Sequence, residues 1–215
     1  MRLESNPEAK TITFRGFVGD YDNGISADDF RAVLAEHDGQ DVTIHLNSEG
    51  GSVTDGLSIY NAISQHEGEV TIHIDALAAS IATVICCAAD RVIMNSNAKF
   101  MIHRAWTVAM GNCVDFRKMA NIMEMLDGDI AGVYEDRTEI PKDELLAMMD
   151  EETWLNAEEA MSHGFIDAVH DTSKQKSKPK AQAGSDIKAV LGPAFKRGFI
   201  AGLERRIKLR KRAQL

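Results

Sequence analysis

The sequence predicts an α/β protein with a mostly parallel sheet. Residues 11–18, 42–46 and 70–74 are short runs rich in β-branched or aromatic side chains, as is typical of strands. Segments with helical periodicity follow these runs, and a helix between two strands lets both strands point the same way. With 215 residues, 44% of them hydrophobic, the chain can build one domain with its own core.

Four segments have the spacing of helices, and two more have the composition of strands. The helical segments are residues 26–34, 53–64, 80–89 and 115–135. The additional strand-like segments are residues 91–94 and 100–103. The first helix begins at Ser26, a residue type that caps helices, and the last has apolar residues at every third or fourth position. This last helix is therefore predicted to be long and amphipathic, and it can pack on the core of its own chain.

Basic residues are concentrated at the end of the chain. Of the 24 lysines and arginines, 13 fall within residues 173–215, whereas only two of the 33 acidic residues do. Residues 173–186 are rich in Lys, Ser, Gln, Ala and Pro and lack periodicity, which predicts a flexible linker. The predicted organisation is a main domain at 1–172, this linker, and a basic segment at 187–215 that can be helical.

Composition and spacing argue against several classes of function. The sequence has no apolar run of about 18 residues and no leader-like N-terminus, so we expect a cytoplasmic protein that does not contact a membrane. The seven histidines show no H-x-x-x-H or H-E-x-x-H spacing, so we expect no metal. Without G-x-G-x-x-G or G-K-[ST] motifs, we expect no nucleotide and no other cofactor. The three cysteines are expected to be reduced and buried.

A serine and a histidine carry the main indication of chemistry. Ser80 follows two alanines where a strand gives way to a helix, and these small neighbours leave its hydroxyl approachable. His103 ends the apolar strand at 100–103. A serine hydroxyl becomes nucleophilic when an imidazole within about 3 Å takes its proton. By sequence alone, Ser80 can also be a helix N-cap, and His103 can be a core or edge residue.

Several strings around this pair resemble the Clp protease proteolytic subunit (ClpP) family. They are Ala-Ala-Ser at 78–80, Met-Ile-His at 101–103, Asn-Ser-Glu-Gly-Gly at 47–51, Leu-Ser-Ile-Tyr at 57–60 and Ala-Glu-Glu-Ala at 157–160. The resemblance spans about residues 11–169 and is greatest for phage or prophage ClpP-related head maturation proteases. It implies a ClpP/crotonase-like fold of repeated ββα units, in which the helix at 115–135 is a protruding handle, and the activity of a serine endopeptidase.

The resemblance also implies roles for individual residues. Ser80 is expected to be the nucleophile and His103 the general base. Glu152 falls at the position of the triad carboxylate, where most ClpP sequences carry aspartate. The backbone N–H groups of Gly51 and Ile81 are expected to stabilise the oxyanion.

The identity of the acid and the shape of the cleft stay open at this point. Three neighbouring acids can take the place of Glu152: Asp150, Glu151 and Asp167. A solvated acidic run with no catalytic role is the other alternative. The sequence further departs from the housekeeping enzyme in carrying Ile81-Ala82 where Met-Gly is usual, and Arg104-Ala105 where a polar residue and proline are usual.

The function expected from the resemblance is hydrolysis of peptide bonds within a homo-oligomeric ring or stacked rings, acting on phage capsid or scaffold proteins. The alternatives are a housekeeping-type subunit that works with a separate ATPase, an acyl-CoA enzyme of the crotonase type, and a catalytically idle ring or scaffold subunit. For the basic segment we expect docking on an acidic protein surface rather than on nucleic acid, because the preceding residues carry an excess of acids.

Overall fold

A computed structural model of the chain describes residues 2–20 and 24–174. The residues up to Ser173 form one compact unit. Nearly all of the predicted linker, and the whole of the predicted basic segment at 187–215, lie outside the described residues.

Eight strands and six helices make up the described part of the chain. The strands are β1 Arg2–Asn6, β2 Thr11–Arg15, β3 Val42–Ser48, β4 Val70–Ala79, β5 Arg91–Asn95, β6 Lys99–Ile102, β7 Thr153–Leu155 and β8 Ala168–His170. The helices are α1 Ala27–Ala35, α2 Val53–Ser64, α3 Ile81–Cys87, α4 Cys113–Thr138, α5 Lys142–Asp150 and α6 Ala157–Ser162, and a 3-10 turn follows at Thr172–Lys174.

The strands form one mixed sheet with a parallel centre. The main order is β1-β2-β3-β4-β5-β8, in which only the β1–β2 pair is antiparallel. The long strand β4 pairs with β5 through its first half and with β6 through its last residues, and β7 then runs antiparallel to β6. The end of β4 therefore lies where two parts of the sheet diverge.

Side chains alternate between a buried and a more open face of the sheet. In β3 and the first part of β4, each buried aliphatic residue is followed by a half-buried polar one. This period of two is that of a strand with one face on the core. The core is formed by the aliphatic face together with apolar residues of the helices, among them Phe30, Ile59 and Ile85.

The prediction of an α/β fold with a mostly parallel sheet is confirmed. The sequence pattern predicted that β4 ends near residue 74, whereas the strand continues to Ala79. Its last residues are small or apolar, so the alternation of polar and apolar side chains that marks the first half of the strand is absent from the second half. The helix α5 and the strand β7 were not predicted. The expectation of buried cysteines is wrong for Cys113, which is exposed at the start of α4. Within the described residues, no helix is long and apolar enough to cross a membrane.

Candidate active site

Ser80 occupies a strained turn between β4 and α3. Its φ of 58° and ψ of −134° fall in a region that L-residues with a side chain rarely adopt. Although Ser80 is the residue before α3, its side chain makes no capping hydrogen bond. The backbone N–H of Ser80 donates to the carbonyl of Met101 at 2.9 Å, which fixes the turn to β6. The hydroxyl is thus available for another partner.

That partner is His103, one residue beyond β6. The parallel pairing of β4 with β6 sets Ala79 opposite Met101 and brings the two strand ends together. His103 Nε2 lies 2.8 Å from Ser80 Oγ. This distance is within the range of a hydrogen bond through which an imidazole can remove a hydroxyl proton.

The hydroxyl groups of Thr83 and Tyr134, both buried, form a hydrogen-bonded chain to the backbone of the Ser80 turn. Thr83 Oγ1 donates to the Ser80 carbonyl at 2.5 Å and lies 2.6 Å from the hydroxyl of Tyr134 in α4. Since the Thr83 hydrogen is used on Ser80, the Tyr134 hydroxyl is the donor in the second contact. Burial raises the pKa of Tyr134, so this phenol keeps the proton that the contact needs.

A glycine loop lies directly against the same turn. Gly50 has a φ of 86°, and a Cβ on it would come within 2.7 Å of Ser80 Cβ and 3.1 Å of the Ile81 nitrogen. Only glycine therefore permits this approach.

The next residue, Gly51, forms a parallel bridge with Val18. The bridge uses the Gly50 carbonyl and the Ser52 N–H, which bond the Val18 backbone at 2.9 Å each. The Gly51 N–H belongs to the same trans peptide group as the Gly50 carbonyl, so it points away from Val18. The peptide group that carries this N–H begins at Gly50, which packs directly against Ser80.

Glu152 directly precedes β7, the strand that pairs with β6. The last pair of this register is Ile102 with Thr153, and His103 and Glu152 are the next residues beyond it on the two chains. Glu152 also has a left-handed backbone, with φ of 51°. Its Oε1 accepts a hydrogen bond from the indole of Trp154 at 3.3 Å, and both side chains are exposed. Glu152 and His103 thus follow the same end of the β6–β7 pairing, and one oxygen of the Glu152 carboxylate bonds Trp154.

Two of the three alternative acids, Asp150 and Asp167, have other partners. Both carboxylate oxygens of Asp150 accept hydrogen bonds from Arg104, at 2.9 and 2.8 Å, and these bonds lower the pKa of Asp150. Asp167, the residue before β8, accepts hydrogen bonds from the Val92 N–H and from Arg137. Each of these carboxylates therefore has a structural role of its own.

Arg104 also joins the segment after His103 to α4. Its Nη1 lies 3.4 Å from Asp127 Oδ2, and the N–H of Ala105 donates to Asp127 Oδ1 at 2.7 Å. The Asp127 side chain is only 8% exposed. A buried carboxylate is stable when it is paired and hydrogen-bonded in this way. Asp127 thereby fixes the backbone that carries the imidazole.

The sequence patterns did not identify four of these supporting residues: Thr83, Tyr134, Arg104 and Asp127. An aspartate within the apolar stripe of α4 was one available signal, since a buried acid requires a partner. The partners themselves are 22 to 51 residues distant along the chain, where a single sequence shows no pairing.

Comparisons with known proteins identify the family to which the chain is related. A family described as Clp protease matches residues 23–173. The ATP-dependent Clp protease proteolytic subunit of Deinococcus radiodurans is 28% identical over 138 residues, which are 63% of this chain and 68% of that protein. The subunit 1 protein of a Synechococcus strain is 32% identical over 139 residues, 64% of this chain and 71% of that protein.

A solved structure extends the comparison to the fold. A point mutant of ClpP1 from Listeria monocytogenes matches with a TM-score of 0.69 over 77% of this chain and 94% of that one, at 20% sequence identity. This likeness confirms the ClpP-like fold expected from the sequence. With a family match over most of its length, the chain belongs to the Clp protease family.

Proposed function

We propose that this protein is a serine endopeptidase of the ClpP type, with Ser80 as nucleophile and His103 as general base. The observation that carries the proposal is the 2.8 Å contact between Ser80 Oγ and His103 Nε2. An acyl-CoA enzyme of the same fold needs no such pair. Membership of a protease family supports the same choice.

The proposed reaction proceeds through an acyl-enzyme. Ser80 Oγ attacks the carbonyl carbon of the scissile peptide bond while His103 Nε2 takes the hydroxyl proton. The tetrahedral intermediate collapses, the C–N bond breaks, and His103 gives the proton to the leaving amine. Water then attacks the ester, His103 takes a proton from this water, and the proton returns to Ser80 as the acid product leaves.

Gly51 and Ile81 are proposed to donate the two N–H groups that stabilise the oxyanion. Ile81 begins α3 directly after the nucleophile, and the Gly51 N–H is directed away from Val18, as its bridge requires. Donors of this kind are fixed before the charge develops, so they stabilise the intermediate without reorganisation. The close packing of Gly50 on Ser80 supports the proposed proximity of the two donors.

Glu152 is proposed as the acid that orients the imidazole. The register between β6 and β7 supports this assignment, and so does its left-handed backbone, which Ser80 shares. In this role one carboxylate oxygen of Glu152 accepts a hydrogen bond from Nδ1 of His103. The Trp154 indole bonds only one of the two oxygens, Oε1.

A homo-oligomeric ring is proposed as the working assembly. The first half of α4 and the segment before it expose several large apolar side chains: Trp106, Val108, Met110, Val114, Phe116, Ile122 and Met125. Exposed apolar surface of this extent is typical of a contact between proteins. A ring that encloses Ser80 would restrict its substrates to peptides and unfolded segments.

Labelling with a fluorophosphonate tests the proposed nucleophile. The reagent should modify Ser80 in the intact protein, and Ser80→Ala should lose both labelling and peptide hydrolysis while it keeps its thermal unfolding transition. His103→Ala should lose activity by a similar factor, because members of a triad act as a unit. Labelling that persists in Ser80→Ala would refute the assignment, and an absence of labelling in the parent protein would favour an idle subunit.

Phage capsid or scaffold proteins are the proposed substrates, and the basic segment at 187–215 is proposed to dock on them. The contrast between 13 basic and two acidic residues over 173–215 supports an electrostatic contact. Removal of residues 175–215 should leave hydrolysis of a small peptide almost unchanged and should slow processing of a capsid substrate. Equal processing by both forms would exclude docking, and a requirement for an added ATPase would favour the housekeeping type.

A further inference from the structure

Three metal-ligating side chains meet on the open face of the sheet, outside the proposed catalytic residues. The parallel pairing of β3 and β4 sets His45 directly opposite His73. Asp75 follows two residues later in β4, so it shares their face. The Nδ1 atoms of His45 and His73 lie 3.2 and 3.3 Å from the same oxygen, Asp75 Oδ1.

The spacing of these atoms fits the coordination shell of a small divalent cation. One ligand atom from each of the three residues lies within 4.8 Å of the other two. Zinc binds nitrogen and oxygen at about 2.0–2.1 Å, which places neighbouring ligands of a tetrahedron about 3.3 Å apart. The two separations from Asp75 Oδ1, 3.2 and 3.3 Å, already have this value.

The surroundings of Asp75 are those of an oriented ligand. Arg15 Nη2 donates to the second carboxylate oxygen, Oδ2, at 3.1 Å, which leaves Oδ1 directed between the two rings. Asn95 Nδ2 donates to the Asp75 carbonyl at 2.9 Å and fixes its backbone. Metal-binding carboxylates are commonly held by such outer hydrogen bonds. The site is also accessible, since the side chains of His45, His73 and Asp75 are 40%, 18% and 22% exposed.

We propose that His45, His73 and Asp75 bind one divalent transition-metal ion, with Zn²⁺ as the preferred species. Two imidazoles and one carboxylate are a donor set that zinc accepts, and three protein ligands leave a position for water. The bound ion would join β3 to β4 five residues before Ser80. The ligands come from two strands and meet only when these strands pair in the sheet. The spacing rules that predicted no metal consider ligands close together in sequence, so they do not apply to this site.

Titration of the full-length, chelator-treated protein with Zn²⁺ tests this proposal. Calorimetry should show one equivalent bound, and Co²⁺ as a probe should give the intense visible bands of a four- or five-coordinate site, which Zn²⁺ then abolishes. His45→Asn and His73→Asn should each weaken Zn²⁺ binding by about tenfold or more, since loss of even an outer-shell partner has an effect of this size. Zinc should also raise the unfolding temperature of the parent protein.

Two matched variants separate this site from other histidines. His66→Asn changes a histidine bonded to the Gln40 carbonyl, away from the cluster, and His103→Ala removes the imidazole beside Ser80. Both should retain one equivalent of Zn²⁺ at the parent affinity. Binding that disappears in His103→Ala, or that survives unchanged in both His45→Asn and His73→Asn, would overturn the proposal. A parent protein that binds neither probe would show that the three residues form only a hydrogen-bonded cluster.

Discussion

The guanidinium of Arg104 binds both carboxylate oxygens of Asp150, from Nε at 2.9 Å and from Nη2 at 2.8 Å. This fork-like pairing is the geometry for which arginine is suited and lysine is not. Because Arg104 directly follows His103, the pair holds the chain that carries the proposed general base against the end of α5. Arg104 is therefore a positioning residue for the imidazole.

Arg104→Ala should lower the turnover number more than it changes the Michaelis constant. The substitution removes both bonds to Asp150 and the Nη1 contact to buried Asp127. Leaving the Asp127 carboxylate with fewer donors should lower the free energy of unfolding by about 1–3 kcal/mol. Peptide hydrolysis and urea unfolding of the variant measure the two effects separately.

Two further variants test whether the effect depends on the fork-like geometry of Arg104 and on its position. Arg104→Lys keeps the charge but not the fork, so it should recover stability better than it recovers turnover. Arg31→Ala removes an arginine that bonds Ser58 and Asp28 in α2 and α1, and it should leave turnover unchanged. Full turnover in Arg104→Ala would show that the chain after His103 needs no such anchor.

Glu152→Gln should reduce turnover on the order of 10²- to 10⁴-fold if Glu152 orients the imidazole. The amide is isosteric but cannot stabilise the imidazolium that forms during the reaction. Glu152→Asp should retain more activity, since it keeps the charge and the family usually has aspartate at this position. Trp154→Phe removes the competing indole donor and should not reduce activity. If Glu152→Gln hydrolyses peptides at the parent rate, Glu152 is not the acid that orients the imidazole.

Tyr134→Phe should slow the reaction of Ser80 with a fluorophosphonate. The phenol supports Thr83, and Thr83 in turn bonds the Ser80 carbonyl within the strained turn. Loss of one buried hydrogen bond should lower the free energy of unfolding by about 1 kcal/mol. Tyr60→Phe, which changes a half-buried tyrosine of α2, is the control and should label at the parent rate. Equal labelling rates in both variants would leave the Tyr134 hydroxyl with a role in stability alone.

The sequence was informative where local patterns and matched strings coincide. Alternation in β3 and β4 predicts their buried faces, and the Ala-Ala-Ser and Met-Ile-His strings led to Ser80 and His103 before their distance was known. The alternation of side chains along a strand is a local property, so neighbouring residues suffice to predict it.

The remainder depends on contacts between distant residues. Arg104 and Asp150 meet because β6 and α5 end at the same place, and no local periodicity of either segment indicates this. The same reason applies to His45 and His73, whose side chains meet only through the register of two parallel strands. Short elements such as β7, with three residues, are formed by pairing rather than by their own propensity.

His37 is a buried histidine outside both proposed sites. His37 follows α1 and its C-cap Glu36 in the chain, and its Nε2 is 3.2 Å from the Ser5 hydroxyl of β1. Burial lowers the pKa of His37 below its ordinary value, and this effect exceeds the opposing one of the neighbouring Glu36 carboxylate. The folded protein therefore prefers the neutral ring.

This preference should make stability depend on pH. Above about pH 6.5, the ordinary histidine value, His37 is neutral in both states. As the pH falls below that value, the unfolded chain binds a proton that the folded protein does not, so the free energy of unfolding decreases until the folded pKa is reached. His37→Gln, which is neutral but can still bond Ser5, should lose less stability between about pH 7 and about pH 5 in urea unfolding. Identical pH dependence of the parent and His37→Gln would contradict the assignment.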